Sequence, residues 1–132
     1  MASSRILVAD DDVAVLESVT WLLKENGYDV VPASGGVSCM EQWERRAPDL
    51  LLLDINMPVM NGEEMLRRLR AAPETASLPV IVVSTEGSET RLAALHELGA
   101  AIVRKPFAPE TLRNTILRVT GVTDAEYYGP VL

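Results

Sequence analysis

Residues 50–71 read LLLLDINMPVMNGEEMLRRLRA, and the rest of the chain repeats their plan. Leu50–Leu53 is an apolar run without polar alternation, as expected of a strand covered on both faces in a parallel sheet. Asp, Asn, Pro and an Asn-Gly pair follow and force a turn, after which helical spacing begins over 62–71. Working outward, the same succession predicts strands at Arg5–Ala9, Tyr28–Pro32, Pro79–Val83 and Ala101–Arg104. Helices are predicted at 12–26, 35–46, 87–98 and 109–119 in addition to 62–71. Gly27 and Gly99 stand where a helix C-terminus wants positive φ, and Pro109 stands near the start of the last helix. Five βα units joined by right-handed crossovers leave few topologies, and the expected fold class is α/β: a single-domain, doubly wound (βα)5 sandwich of three layers.

The chain has 132 residues, 48% hydrophobic and 23% charged, which suits one compact domain. Residues 1–120 are expected to form that domain, with 121–132 (GVTDAEYYGPVL) a C-terminal tail or the start of a linker. Twelve Lys and Arg against 19 Asp and Glu give a net charge of −7, which argues against direct nucleic-acid binding. The single cysteine, Cys39, cannot form an internal disulfide, and MASSRILVADDD does not read as a signal peptide. No apolar run approaches the roughly 20 residues of a membrane helix. These features point to the cytoplasm.

In an open parallel sheet chemistry gathers at the carboxyl ends of the strands. Here those ends carry Asp10, Asp11 and Asp12, then Asp54, Ser84 and Lys105. Singly each is ordinary: Asp12 can cap a helix, Asp54 or Ser84 a turn, and Lys105 can be a solvated lysine. Jointly they are not, because the fold sets the first and third strands side by side and crowds the carboxylates. Two unit charges 4 Å apart repel by about 4 kcal/mol at an effective dielectric near 20. Hard oxygen donors without a His or Cys cluster select Mg²⁺. A carboxylate, a lysine, a hydroxyl and Mg²⁺ are the equipment of phosphoryl transfer, with the carboxylate able to attack phosphorus.

The motifs ILVADDD (6–12), LLLDINMPVMNG (51–62), PVIVVSTEG (79–87) and RKPF (104–107) together make the chain resemble a two-component response-regulator receiver domain of the CheY-like family. The resemblance implies a flavodoxin-like sheet of order 2-1-3-4-5 and a phosphoryl group accepted on Asp54 from a phosphohistidine. It further implies that Asp11 binds Mg²⁺ directly, Asp10 through water and Asn56 through its backbone carbonyl. Ser84 would turn toward the phosphoryl oxygens, Lys105 would pair with them, and Asp12 would begin the helix. Thr85 is the weaker candidate for the hydroxyl. A cis bond before Pro106 would aim Lys105 inward.

Implied partners are a sensor histidine kinase or histidine phosphotransfer protein upstream, and downstream a protein that reads helix 4, strand 5 and helix 5. Neither nucleic acid nor membrane is contacted directly. Such a protein is not an enzyme beyond its own phosphorylation and dephosphorylation. By the same resemblance Asn56 and Glu86 flank the hydrolytic water, so a short-lived phosphoryl group is expected. One departure is Ile102, where receivers commonly carry Tyr or Phe, in a Gly99–Lys105 stretch one residue shorter than usual. The alternative is an aspartate-nucleophile, Mg²⁺-dependent phosphatase of the haloacid-dehalogenase type, whose Asp-x-Asp-x-Thr/Val frame is broken here by Ala14. A flavodoxin-like FMN binder would meet three repelling aspartates at the phosphate.

Elsewhere bland readings prevail. Val13, Leu16, Val19 and Leu23 should face inward, and Cys39 should pack in the core with Val37, Met40 and Trp43. His96 should be a surface residue. Ser34-Gly35-Gly36 lacks a nucleotide-loop frame. Trp21 falls on the polar side of its helix, as a partner surface or a partly covered rim.

Overall fold

The computed structural model describes residues 5–55, 62–84, 89–105 and 107–120. The elements in chain order are β1 (Arg5–Ala9), α1 (Val13–Glu25), β2 (Asp29–Ala33), α2 (Gly36–Arg45), β3 (Leu50–Asp54), α3 (Gly62–Ala71), β4 (Val80–Ser84), α4 (Glu89–Glu97), β5 (Ala100–Arg104) and α5 (Pro109–Thr120). The strands are all parallel, in the order β2-β1-β3-β4-β5. Expectations resting on Asn56, Asn61, Thr85, Glu86, Pro106 and 121–132 lie outside the described residues.

Side-chain alternation divides the sheet into two cores. Ile6, Val8, Leu50, Leu52, Ile81, Val83 and Val103 pack with Leu16, Val19 and Leu23 of α1 and Leu112 and Ile116 of α5. Their neighbours Leu7, Ala9, Leu51, Leu53, Val80, Val82 and Ala100 pack on the other face with Cys39 of α2, Met65, Leu66 and Leu69 of α3, and Leu92 and Leu95 of α4. Every residue of β3 and β4 is buried, which is why neither shows polar alternation.

Local signals place the helix ends. Asp12 caps α1, its Oδ1 accepting from the amides of Ala14 at 3.0 Å and Val15 at 3.3 Å. At the other end Gly27 has φ 88°, and the amides of Gly27 and Tyr28 donate back to the Lys24 and Leu23 carbonyls. Gly99, with φ 82°, turns α4 into β5.

Two inward assignments are corrected. Val13 is 59% exposed because the first turn of α1 stands above the carboxyl edge of the sheet, with no strand beneath it. Val37 is exposed because the covered stripe of α2 runs through Gly36, Cys39, Met40 and Trp43, and position 37 is a helical step of about 100° away from its first member. Cys39 is fully buried and His96 is exposed, both as expected.

Candidate functional site

β1 and β3 are adjacent, with Ala9 opposite Leu53, so both strands deliver a carboxylate at the same edge. Asp10 follows β1 and Asp54 ends β3, and they are 4% and 7% exposed. The Asp10 amide is tied to the Ala33 carbonyl at the end of β2 at 3.1 Å, which fixes the chain as it leaves the sheet. Asp11, next along, is exposed. One oxygen from each of Asp10, Asp11 and Asp54 falls within 4.8 Å of the other two. Asp12 is drawn away from this trio by its capping role.

Lys105, just past β5, supplies the positive charge. Its Nζ lies 2.9 Å from Asp10 Oδ2 and 3.9 Å from Asp54 Oδ2. The other oxygen of Asp10 accepts from the Asp12 amide at 2.9 Å. Three carboxylates and one ammonium leave a formal charge of −2, which a divalent cation would balance. The donors are all hard oxygens, and the exposed Asp11 leaves a side open to water, a set that fits Mg²⁺. Asp10 thus accepts a hydrogen bond on each oxygen.

Ser84, the last residue of β4, is fully buried, and its carbonyl accepts from the Lys105 amide at 2.9 Å. That bond locks the residue bearing the hydroxyl to the residue bearing the ammonium. Val83 and Leu52 help pack the floor beneath Asp10 and Asp54. Ile102 is half-buried against the core beneath α2, α3 and α4.

Beside the site runs an apolar groove of about 1050 Å³, lined by Val15, Trp21 and Leu22 of α1 and by Lys105, Phe107 and Pro109. Trp21 is 66% exposed. The helical spacing had put its indole outward, but the groove needs the loop before α5, which spacing on α1 alone does not reveal.

The family description "Response regulator receiver domain" matches residues 6–117. This chain belongs to that family. Among curated relatives of the receiver, "Response regulator MprA" of Mycobacterium leprae is 40% identical over 125 residues, covering 92% of this chain and 54% of the relative. "Probable transcriptional regulatory protein TcrX" of Mycobacterium tuberculosis is 35% identical, covering 92% and 53%. The chain thus spans about half the length of these relatives. Among solved structures, chemotaxis protein CheY4 of Vibrio cholerae superposes with a TM-score of 0.83 at 31% identity, covering 89% of this chain and 99% of that one. A response regulator from Chloroflexus aurantiacus gives 0.85 at 29% identity, covering 91% and 99%.

Membership agrees with the receiver fold expected from the motifs and removes the phosphatase alternative. It makes the chain a receiver domain of two-component signalling. Among the described residues no helix is long and apolar enough to cross a membrane.

Proposed function

We propose that Asp54 is the phosphoacceptor of this receiver, that Asp10, Asp11 and Asp54, with the Asn56 carbonyl, hold Mg²⁺, and that Ser84 and Lys105 read the phosphoryl group. The observation that carries this is the convergence of the three carboxylate oxygens within 4.8 Å beside an ammonium. When bound, Mg²⁺ supplies charge neutralisation for phosphoryl oxygens. An Asp54 oxygen attacks phosphorus, the P–N bond of the phosphohistidine breaks, and the imidazole leaves with the electron pair and takes up a proton. Burial of Asp54 limits competing water, and Lys105, 3.9 Å away, is placed to follow the new charge from Asp10 toward the phosphoryl oxygens. The Ser84 hydroxyl donates to the same oxygens. Hydrolysis on the same site returns the protein to its starting state, which is the only turnover it performs.

The exposed Trp21 and its groove, adjoining Lys105, support a protein as the phosphoryl donor, a sensor kinase or phosphotransfer protein docking across α1. The face formed by α4, β5 and α5 is assigned to the downstream partner, the protein to the cytoplasm, and residues 1–120 to the folding unit. With Mg²⁺ and acetyl phosphate, the intact protein should gain one phosphoryl mass that hydroxylamine removes. Asp54→Asn should gain none; full labelling of that variant would overturn the assignment.

A further inference from the structure

Arg70, in the last turn of α3, lies at the amino-terminal edge of the sheet, opposite the phosphoryl site. Its guanidinium is half-buried and bound to backbone carbonyls of two separate segments. Nη1 donates to Leu78 O at 2.8 Å and to Thr75 O and Ala76 O at 3.2 Å each, all in the turn that enters β4. Nε donates to Leu98 O at 2.6 Å and Nη2 to Gly99 O at 3.4 Å, in the turn between α4 and β5. Burial lowers the Arg70 pKa from its ordinary value, yet a guanidinium remains charged, so these are charge-assisted bonds.

Gly99 closes the turn with φ +82°, a conformation that favours glycine, and a Cβ there would make only ordinary contact with Arg70 Nη2 at 3.5 Å. The Leu98 and Gly99 amides also bond back into α4, to Ala94, Leu95 and His96 carbonyls, so holding their carbonyls holds the end of the helix. Nearer the other end, Arg91 Nε is 4.0 Å from Glu63 Oε1, with both side chains about 30% exposed. Leu92 and Leu95 are the buried residues between.

We propose that Arg70 is the fixed pivot of α4: on phosphorylation the helix turns about its Leu98–Gly99 end, and its displacement grows toward the end that follows Ser84. Nine residues make a lever of about 13 Å, so a rotation of ~10° moves the first turn by about 2 Å and the clamped end hardly at all. The inference rests on Asp54 being the acceptor, and the experiment separates the two.

Amide exchange is followed residue by residue by NMR, with and without beryllofluoride and Mg²⁺ as a phosphoryl mimic. In the parent the mimic should change exchange at least about fivefold over residues 91–94 and less than about twofold at Leu98 and Gly99. In Arg70→Ala, Leu98 and Gly99 should exchange about tenfold faster even without the mimic, and the mimic should now alter them as much as the first turn. Arg70→Lys, which keeps the charge but cannot bridge both turns, should resemble Arg70→Ala. A uniform change along α4 in the parent overturns the pivot, and this arm needs no variant to fold. Unaltered exchange at Leu98 and Gly99 in folded Arg70→Ala or Arg70→Lys overturns the clamp. Absence of any response at Asp10, Asp54 and Ser84 overturns the phosphorylation reading and the pivot with it, while the mimic-free comparison still decides the clamp.

Discussion

Replacing Lys105 with methionine keeps the side-chain length and deletes its charge. In the parent the ammonium lies 2.9 Å from Asp10 Oδ2 and 3.9 Å from Asp54 Oδ2, with side-chain exposures of 17%, 5% and 9% respectively. At an effective dielectric near 20 these separations correspond to gross attractions of about 6 and 4 kcal/mol. Most of that is offset by the water the three groups surrender, and breaking a buried pair typically costs about 3–5 kcal/mol. Lys105 retains some solvent, so about 2–4 kcal/mol is expected here. At about 3–6 °C per kcal/mol for a domain of this size, Tm in EDTA should fall by roughly 6–24 °C. The formal charge of the site would move from −2 to −3, so a divalent cation should bind more tightly. A tenfold gain in affinity adds about 1.4 kcal/mol of stabilisation at saturating Mg²⁺. The assay is thermal unfolding by circular dichroism, in EDTA and in Mg²⁺, with Lys105→Arg as the charge-retaining control. A Tm in EDTA within about 2 °C of the parent would refute the argument. So would a Mg²⁺ increment no larger than the parent's.

Asp11→Asn should abolish most of the Mg²⁺-dependent rise in Tm, measured by the same unfolding assay; an undiminished rise would place the cation elsewhere. Asp12→Ala should cost about 1 kcal/mol in urea unfolding through loss of the α1 cap, and Asp12→Asn much less. Burial pushes the Cys39 thiol from 9.0 up to about 12, so the folded chain resists ionisation that the unfolded chain undergoes near its ordinary value. The stability this contributes is intact below about pH 9 and is lost as pH rises toward 12, by up to about 1.4 kcal/mol per pH unit. Alkaline denaturation should therefore be steeper in the parent than in Cys39→Ala, and equal slopes would contradict the assignment.

The strands were legible because β3 and β4 are apolar without interruption, and the helix ends because Asp12, Gly27 and Gly99 each have one conformational use. Strand ends were less so. Asp54 and Ser84 continue the ladders, opposite Val83 and Arg104, since backbone pairing runs on where a polar side chain suggests a stop. β2 extends one residue past Pro32, at an edge where a missing amide is tolerated, and ends where Ala33 accepts from Asp10. Within the site, the motif resemblance directed Lys105 to phosphoryl oxygens. The ammonium lies nearer Asp10 than Asp54. The Arg70 clamp had no signal, because its acceptors are main-chain carbonyls that any residue type carries.

The alternation that builds two cores also sorts the chemistry. Asp10, Asp54 and Lys105 continue the series whose earlier members pack against α1 and α5, whereas Ser84 continues the Val80 and Val82 series toward α4. The sheet therefore divides the site itself: its carboxylates and its lysine lie on the α1 and α5 side, and its buried hydroxyl lies on the α4 side. On the proposed reading, substitutions along α1 bear on the phosphoryl donor and substitutions along α4 bear on the Ser84 side, and the sheet between them keeps the two sets of contacts apart.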